Sequence, residues 1–177
     1  VYNNGSTVVD LTGWVFSDES TTNAVFPSYN LQPGGYLIVC DDSDVANFTA
    51  FGDVLGTPSF PGLTNAGELW QFMDANRTLI NQVNYSSEMD GDEVKDDGGW
   101  TLELIDPNFP CDNPGNWQAS EDPQGGTPGQ VNSVLGTFTD SEAPQLVDVT
   151  LLTTTSILLN FNEILDPASV TDPGQYT

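Results

Sequence analysis

The sequence predicts an all-β protein: an immunoglobulin-like β-sandwich, followed by an incomplete second β-sandwich domain. Short runs of alternating apolar and polar residues recur from end to end, and turn-forming residues separate them. No segment keeps a helical period over about 11 residues. With 177 residues, the chain is long enough for one domain and part of another.

Six strands and one short helical turn are predicted in the first part of the chain. Gly, Pro, Asn and Asp residues at the strand boundaries supply the turn chemistry. The helical turn is predicted over residues 43–51, with Ser43 as its N-cap. The predicted strands cover residues 7–9, 14–16, 36–40, 69–73, 79–85 and 100–105.

A change of composition divides the chain. Residues 136–142 mix Ser, Thr, Gly, Asp and Glu without an apolar period, which is typical of a linker. Two more strands are predicted beyond it, within residues 143–150 and 155–163. The first domain, the linker and the partial second domain are therefore predicted at residues 1–135, 136–142 and 143–177.

The charge of the chain limits its partners. There are 26 acidic residues against Arg77 and Lys95, a formal net charge of −24. Such a surface would repel a phosphate backbone and an anionic membrane, so we expect no nucleic acid partner. No apolar run is long enough to span a bilayer, so we expect no membrane insertion. Self-repulsion also opposes compaction, and salt or bound cations would relieve it.

The residue types argue against an enzyme. The sequence contains no histidine, and its serines, threonines and lysine lack the base partner that nucleophilic catalysis requires. Two carboxylates suffice for glycoside hydrolysis, but in so acidic a chain close pairs are expected by chance. We therefore expect no catalytic residue.

The most informative stretch runs from Gly98 to Asn132. Trp100, Leu102 and Leu104 fall on one face of an extended segment, while Thr101 and Glu103 fall on the other. This alternation predicts a strand that is buried on its apolar face. The predicted core comprises Trp14, Leu37, Val39, Leu102 and Leu104.

Four motifs follow one another in the chain: Asp10-Leu-Thr-Gly-Trp-Val15, Leu31-Gln-Pro-Gly-Gly-Tyr-Leu-Ile-Val39, Asn65-Ala-Gly-Glu-Leu69 and the Gly98–Asn132 stretch. Together they resemble a lamin tail domain, in the form found in secreted bacterial proteins, over roughly residues 1–135. Residues 143–177 resemble the opening of the bacterial immunoglobulin-like domains that occur in tandem on surface proteins.

The resemblance implies a non-catalytic structural or adhesive module of a secreted or cell-surface bacterial protein. Its expected role is to make contacts between neighbouring domains or subunits. Two alternatives belong to other classes. One is an accessory domain of a secreted enzyme whose catalytic part lies elsewhere, and the other is a carbohydrate-binding module. The latter requires an exposed aromatic face, which the four tryptophans would have to supply.

Cys40 and Cys111 are the only cysteines, and no Cys-x-x-Cys spacing suggests a metal or redox motif. The alternatives are one disulfide or two free thiols. We predict the disulfide, because the resemblance is to secreted proteins and the loop that carries Cys111 can return to Cys40. In the chain-entropy model, such a bond contributes about 4 kcal/mol.

Two acidic clusters are candidate calcium sites, because calcium prefers several oxygen ligands brought together by a loop. Neither cluster has the spacing of the twelve-residue calcium loop. The alternative is a solvated acidic face. The candidate ligands are Asp41, Asp42 and Asp44 in the first cluster and Asp90, Asp92 and Asp96 in the second.

The last two predicted strands suggest how the module meets its partners. Ile157, Leu159 and Phe161 share one face, and an isolated hairpin cannot bury such a face. We therefore expect the chain to be part of a larger surface protein or filament. The missing strands would come from further chain or from a neighbour through strand addition.

Overall fold

The computed structural model describes residues 1–18, 20, 22–86, 89, 95, 98–109, 114–140, 143–161, 165 and 170–171. Within these ranges the chain forms twelve β-strands, one four-residue α-helix and two 3-10 turns. The predicted all-β class is therefore confirmed. In chain order, the elements are β1 (Val9–Asp10), β2 (Val15–Ser17), β3 (Asn23–Val25), β4 (Asn30–Leu31), β5 (Ile38–Asp41), α1 (Val45–Phe48), β6 (Val54–Thr57), β7 (Gly67–Met73), β8 (Leu79–Ser86), β9 (Leu102–Leu104), β10 (Trp117–Ala119), β11 (Leu146–Thr153) and β12 (Ser156–Phe161).

The largest sheet has four antiparallel strands in the order β3-β2-β7-β8. The other strands form two-stranded sheets, with β1 on β4, β9 on β10 and β11 on β12, all antiparallel. The pair β5 and β6 is parallel, and the connection between them contains α1. A parallel pair cannot be joined by a tight hairpin, so this crossover explains why a helix interrupts the strands.

The core lies beside the first strands. Leu11, Phe26, Leu31 and Leu37 form its buried centre. Aromatic rings extend this centre, because the ring of Phe16 packs 5.1 Å from Phe26 and 4.8 Å from Phe72, measured between centroids. Aromatic side chains bury a large apolar area each, which suits a domain of short strands.

The predicted core is confirmed only in part. Leu37 is fully buried, whereas Trp14 and Val39 are half-buried and pack against the core. Leu102 and Leu104 are also half-buried, at the separate β9–β10 sheet. None of the five side chains is exposed.

The first residues pair with the segment before β5. Asn3 N donates to Gly35 O at 3.0 Å, and Leu37 N donates to Val1 O at 2.8 Å. The rings of Tyr2 and Tyr36 stack with centroids 4.5 Å apart. Residues 1–3 therefore pair in antiparallel fashion with residues 35–37, directly before β5.

A helical segment was predicted over residues 43–51, and the structure places one there, but its cap is different. A 3-10 turn at Asp42–Asp44 leads into α1. The Asp41 side chain accepts from Ser43 N at 3.0 Å, so Asp41 caps the segment and Ser43 supplies the capped amide. The helical segment begins before residue 43, so Asp41 holds the N-cap position, which aspartate fills as well as serine does.

Four strands were not predicted, namely β3, β4, β6 and β10. Each has two to four residues. Alternation needs more residues than this to show a period, so partners elsewhere in the fold define these strands.

The β7–β8 hairpin turns through a strained residue. Arg77 has a φ of 66°, and Arg77 N donates to Asp74 O at 3.0 Å. The Asp74 carboxylate also accepts from the amides of Asn76 and Thr78, each at 2.8 Å. The turn therefore forces a side-chain-bearing residue into the left-handed region, which glycine occupies without steric cost.

Arg77→Gly is expected to raise the free energy of unfolding by up to about 1 kcal/mol, because it relieves the left-handed strain at this position. Urea unfolding of both proteins measures the difference. Arg77→Gln removes the same charge but keeps the Cβ, so it serves as the control. Equal stability of the Gly and Gln variants would contradict a role for backbone strain.

Candidate functional sites

The first acidic cluster is used for local capping. Asp41 Oδ1 accepts from Ser43 Oγ at 2.7 Å, and Asp44 Oδ1 accepts from Asn47 Nδ2 at 3.0 Å. Hydrogen bonds from the side chain and the backbone of Ser43 lower the pKa of Asp41 below its ordinary value. These bonds account for the position of both carboxylates by local turn chemistry.

Asp90, Asp92 and Asp96 lie outside the described residues. Over the part of the chain that the structure describes, no three His, Cys, Asp or Glu side chains are grouped so as to hold a metal ion. Calcium binding at either cluster stays a prediction.

Cys40 lies in β5 and is buried, with a free thiol. Burial raises the pKa of this thiol, and the nearby charges of Asp44, Asp41 and Asp42 raise it further. Such a thiol is a poor nucleophile at neutral pH. Cys111 lies outside the described residues, so the Cys40–Cys111 bond stays a prediction.

The tryptophans line no open platform. Trp14, Trp70, Trp100 and Trp117 are all half-buried. Trp70 packs 5.6 Å from Phe60, and the ammonium of Lys95 lies 4.9 Å from the centre of the Trp100 ring. These contacts are typical of core packing rather than of sugar stacking.

A buried carboxylate overturns the predicted faces of β9. Glu103 was expected on the outer face, yet only 4% of it is exposed, less than either half-buried neighbour, Leu102 or Leu104. The reason is that residues 120–138 fold over the face that Glu103 occupies and bond to it. A strand covered on both faces does not follow a simple apolar-in pattern.

Three hydrogen bonds converge on the two oxygens of Glu103. Thr127 Oγ1 donates to Oε1 at 2.6 Å, and Ser133 N and Ser133 Oγ each donate to Oε2 at 2.7 Å. The Ser133 hydroxyl also lies 3.0 Å from Ser120 Oγ. Burial alone would raise the pKa of Glu103, but bonds from Thr127, Ser133 and Ser120 outweigh it and lower the pKa.

Asp106 forms a second anchor at the end of β9. Its Oδ2 accepts from Phe138 N at 3.1 Å and its Oδ1 accepts from Asn108 N at 2.9 Å. The fully buried Asn116 bonds to the Asp106 backbone in both directions, at 2.8 and 3.0 Å. Backbone hydrogen bonds from Asn108 and Phe138 lower the pKa of the Asp106 carboxyl.

Phe138 also packs against the segment that follows β9. Its amide bonds to Asp106, and its ring centroid lies 5.0 Å from that of Phe109. The segment also touches the first half of the chain, where Asn4 Nδ2 donates to Asn108 Oδ1 at 2.9 Å. The predicted division of the chain at residues 135 and 142 stays a prediction.

A shallow depression of about 230 Å³ lies beside this segment. Its walls comprise Phe51, Thr101, Gln124, Pro128 and three glycines, none of which is ionisable. The Phe51 ring is 41% exposed. These walls mix polar and apolar groups, and they carry no charged group to select a ligand.

The β11–β12 hairpin exposes an apolar face. Val149 lies opposite Leu159, and Leu151 lies opposite Ile157. Directly opposed residues share a face, so these four side chains form one apolar surface, the hairpin face. Leu151 is 71% exposed and Ile157 is 58% exposed. The other face carries the pairs Asp148 with Asn160 and Thr150 with Leu158.

Comparison with known proteins finds a family match for the first part of the chain. Residues 1–87 match the family model of the Lamin Tail Domain. This family is an immunoglobulin-like, non-catalytic module, which agrees with the all-β fold. No curated protein and no solved structure matches the chain. The match covers the first three of the four motifs singled out in the sequence, while the Gly98–Asn132 stretch lies beyond it.

Proposed function

We propose that the chain is a structural or adhesive module of a secreted or cell-surface bacterial multidomain protein, which joins neighbouring domains or subunits through the hairpin face. The single observation that carries the proposal is the exposure of that face. A lamin tail domain over residues 1–87 supports a structural role.

The energetics of the hairpin support a contact role. Burying one Leu or Ile side chain contributes about 1.5–3 kcal/mol. The hairpin face offers Leu151, Ile157 and Val149, each more than half exposed. The reverse face carries Asp148, Asn160 and Thr150 together with the exposed Leu158, so it is the more polar of the two faces. A hairpin with one apolar face resembles one layer of a sandwich that a partner sheet would cover. This supports the proposal that residues 143–177 belong to a second β domain.

The charge supports an extracellular surface. A formal charge of −24 keeps copies of the chain apart at low ionic strength, and salt removes that barrier. Contacts through an apolar face would then strengthen as salt rises. No helix among the described residues is long and apolar enough to cross a membrane.

The test replaces two opposed residues of the hairpin face. The 177-residue chain is expected to self-associate as salt is raised, and Leu151→Thr with Ile157→Thr is expected to abolish that association. Threonine keeps the strand propensity while removing apolar surface. Sedimentation velocity over a salt series measures the effect.

Leu63→Thr is the matched control, because Leu63 is 62% exposed outside any strand. It should sediment as the unmodified chain does. If the double variant associates as strongly as the Leu63→Thr chain, the hairpin face is not a contact surface. A chain that stays monomeric at every salt concentration would also contradict the proposal.

A further inference from the structure

We propose that Glu103 and Asp106 form an acid-released clasp, which holds residues 127–138 against β9 while both carboxylates are ionised and frees them when the carboxylates take up protons. The clasp comprises these two acids with Thr127, Ser133 and Phe138. Residues 127–138 precede the β11–β12 hairpin in the chain, and that hairpin begins at Leu146.

The clasp depends on carboxylate oxygens that accept hydrogen bonds, and only the ionised acid has two oxygens that both act purely as acceptors. Glu103 accepts from the clasped segment through Thr127 Oγ1, Ser133 N and Ser133 Oγ. The side chain of Ser120, which precedes the segment, adds a further hydrogen bond. Asp106 Oδ2 holds the far end through Phe138 N. Two carboxylates three residues apart therefore grip the segment at its beginning, middle and end.

The groups around Glu103 leave its charge balanced by hydrogen bonds rather than by an ion pair. Lys95 Nζ donates to Ser120 O at 2.9 Å and stacks over Trp100. Glu121 and Asp122 follow Ser120, and their carboxylates accept from Gln118 and Gln124. Among residues 127–133 no side chain is charged. The burial of Glu103 is thus sustained by its donors.

Protonation breaks this arrangement in a defined way. A protonated carboxyl presents a donor where an acceptor stood. The Thr127 hydroxyl can rotate to accept from a proton on Oε1, whereas a proton on Oε2 would face Ser133 N, which cannot accept. In either case the acceptor is neutral, and its hydrogen bonds from Ser133 N are weaker than those to a carboxylate. The bond from Phe138 N to Asp106 weakens in the same way.

The direction of the pH dependence follows from the lowered pKa values of both acids. A carboxyl with a lowered pKa stabilises the folded arrangement above its ordinary pKa, and the contribution is lost as the pH falls through the folded-state value. The stabilisation by the clasp is therefore complete above the ordinary pKa values, 4.5 for Glu103 and 3.8 for Asp106, and it decreases below them. The clasp opens as the pH falls through the lower folded-state values.

The experiment uses the full chain and follows the backbone amides of Ser133 and Phe138 by NMR. Glu103→Gln cannot ionise, so it reproduces the protonated state at neutral pH. We expect at least a tenfold loss of hydrogen-exchange protection at Ser133 in this variant, while the Leu37 amide in the core stays protected. Asp106→Asn should produce the same loss at Phe138.

Glu121→Gln is the matched control, because it removes a neighbouring carboxylate that accepts from Gln118 rather than from the clasped segment. If the Ser133 amide is protected from hydrogen exchange equally in the Glu103→Gln and Glu121→Gln variants, the clasp is refuted.

A pH titration of the unmodified chain gives an independent check, since the Ser133 amide should lose protection at a higher pH than the Leu37 amide does. Simultaneous loss at Ser133 and Leu37 would indicate global unfolding and overturn the proposal.

Thr127→Val removes one donor to Glu103 without changing the charge. It should shift the loss of protection at Ser133 to higher pH, and an unchanged pH would contradict the proposal.

Discussion

Replacing Gly125 by alanine is expected to lower the free energy of unfolding by about 3 kcal/mol or more. Gly125 has a φ of 90°, and an added Cβ would fall on the backbone carbonyl oxygen of Gly99. Backbone cannot rotate away as a side chain can. Thr101 N donates to Gly125 O at 2.8 Å, so a shift of Gly125 also disturbs the residue that leads into β9.

Two other glycines separate the causes of this loss. Gly34 has a φ of 69° with open space where its Cβ would stand, so Gly34→Ala reports left-handed strain alone, about 1 kcal/mol. Gly62 has open space without a positive φ, so Gly62→Ala should be neutral or slightly stabilising. Urea unfolding of the three variants gives the comparison. A Gly125→Ala chain as stable as Gly34→Ala would show that the contact with Gly99 relaxes freely.

Leu37→Ala is expected to cost about 3 kcal/mol, since the side chain is 2% exposed and belongs to the central cluster with Leu11, Phe26 and Leu31. The lost free energy of unfolding has two parts. One is the transfer free energy of the removed apolar atoms, and the other is the cost of the cavity that the surrounding side chains do not fill. Leu37 N is also bonded to Val1 O, so the cluster is tied to the first residues.

Leu63→Ala is the matched control, because the same atoms are removed from a side chain that is 62% exposed. It should change the free energy of unfolding by less than about 0.5 kcal/mol. Thermal or urea unfolding measures both variants. A loss at Leu37 no larger than that at Leu63 would show that the central cluster does not stabilise the fold.

The fold class and the longer strands could be predicted from sequence because their signals are local. β7 and β8 have seven and eight residues, enough for a strand pattern to emerge, and their turn carries Asp74 and Asn76. The core role of Leu37 was also predictable, since an apolar run follows a Pro-Gly-Gly turn at residues 33–35. The resemblance to a lamin tail domain over roughly residues 1–135 rested on such local motifs as well, and the family model matches residues 1–87 of that range.

The role of Glu103 could not be predicted in this way. Its donors, Thr127 and Ser133, lie 24 and 30 residues away in sequence. Alternation assigns a face by assuming that one side of the strand meets solvent. That assumption fails at β9, where a later segment covers the second face. An acidic residue inside an apolar alternation was the one available signal, and an exposed glutamate gives the same signal.

The sequence by itself determined the all-β class, the order of the longer strands and the scarcity of catalytic residue types, because propensity, period and composition are properties of neighbouring residues. Only the tertiary structure decided which carboxylate is buried, because that depends on which atoms meet across the fold. Glu103 acquires its role from donors that lie 24 and 30 residues away, and no local pattern encodes such partners.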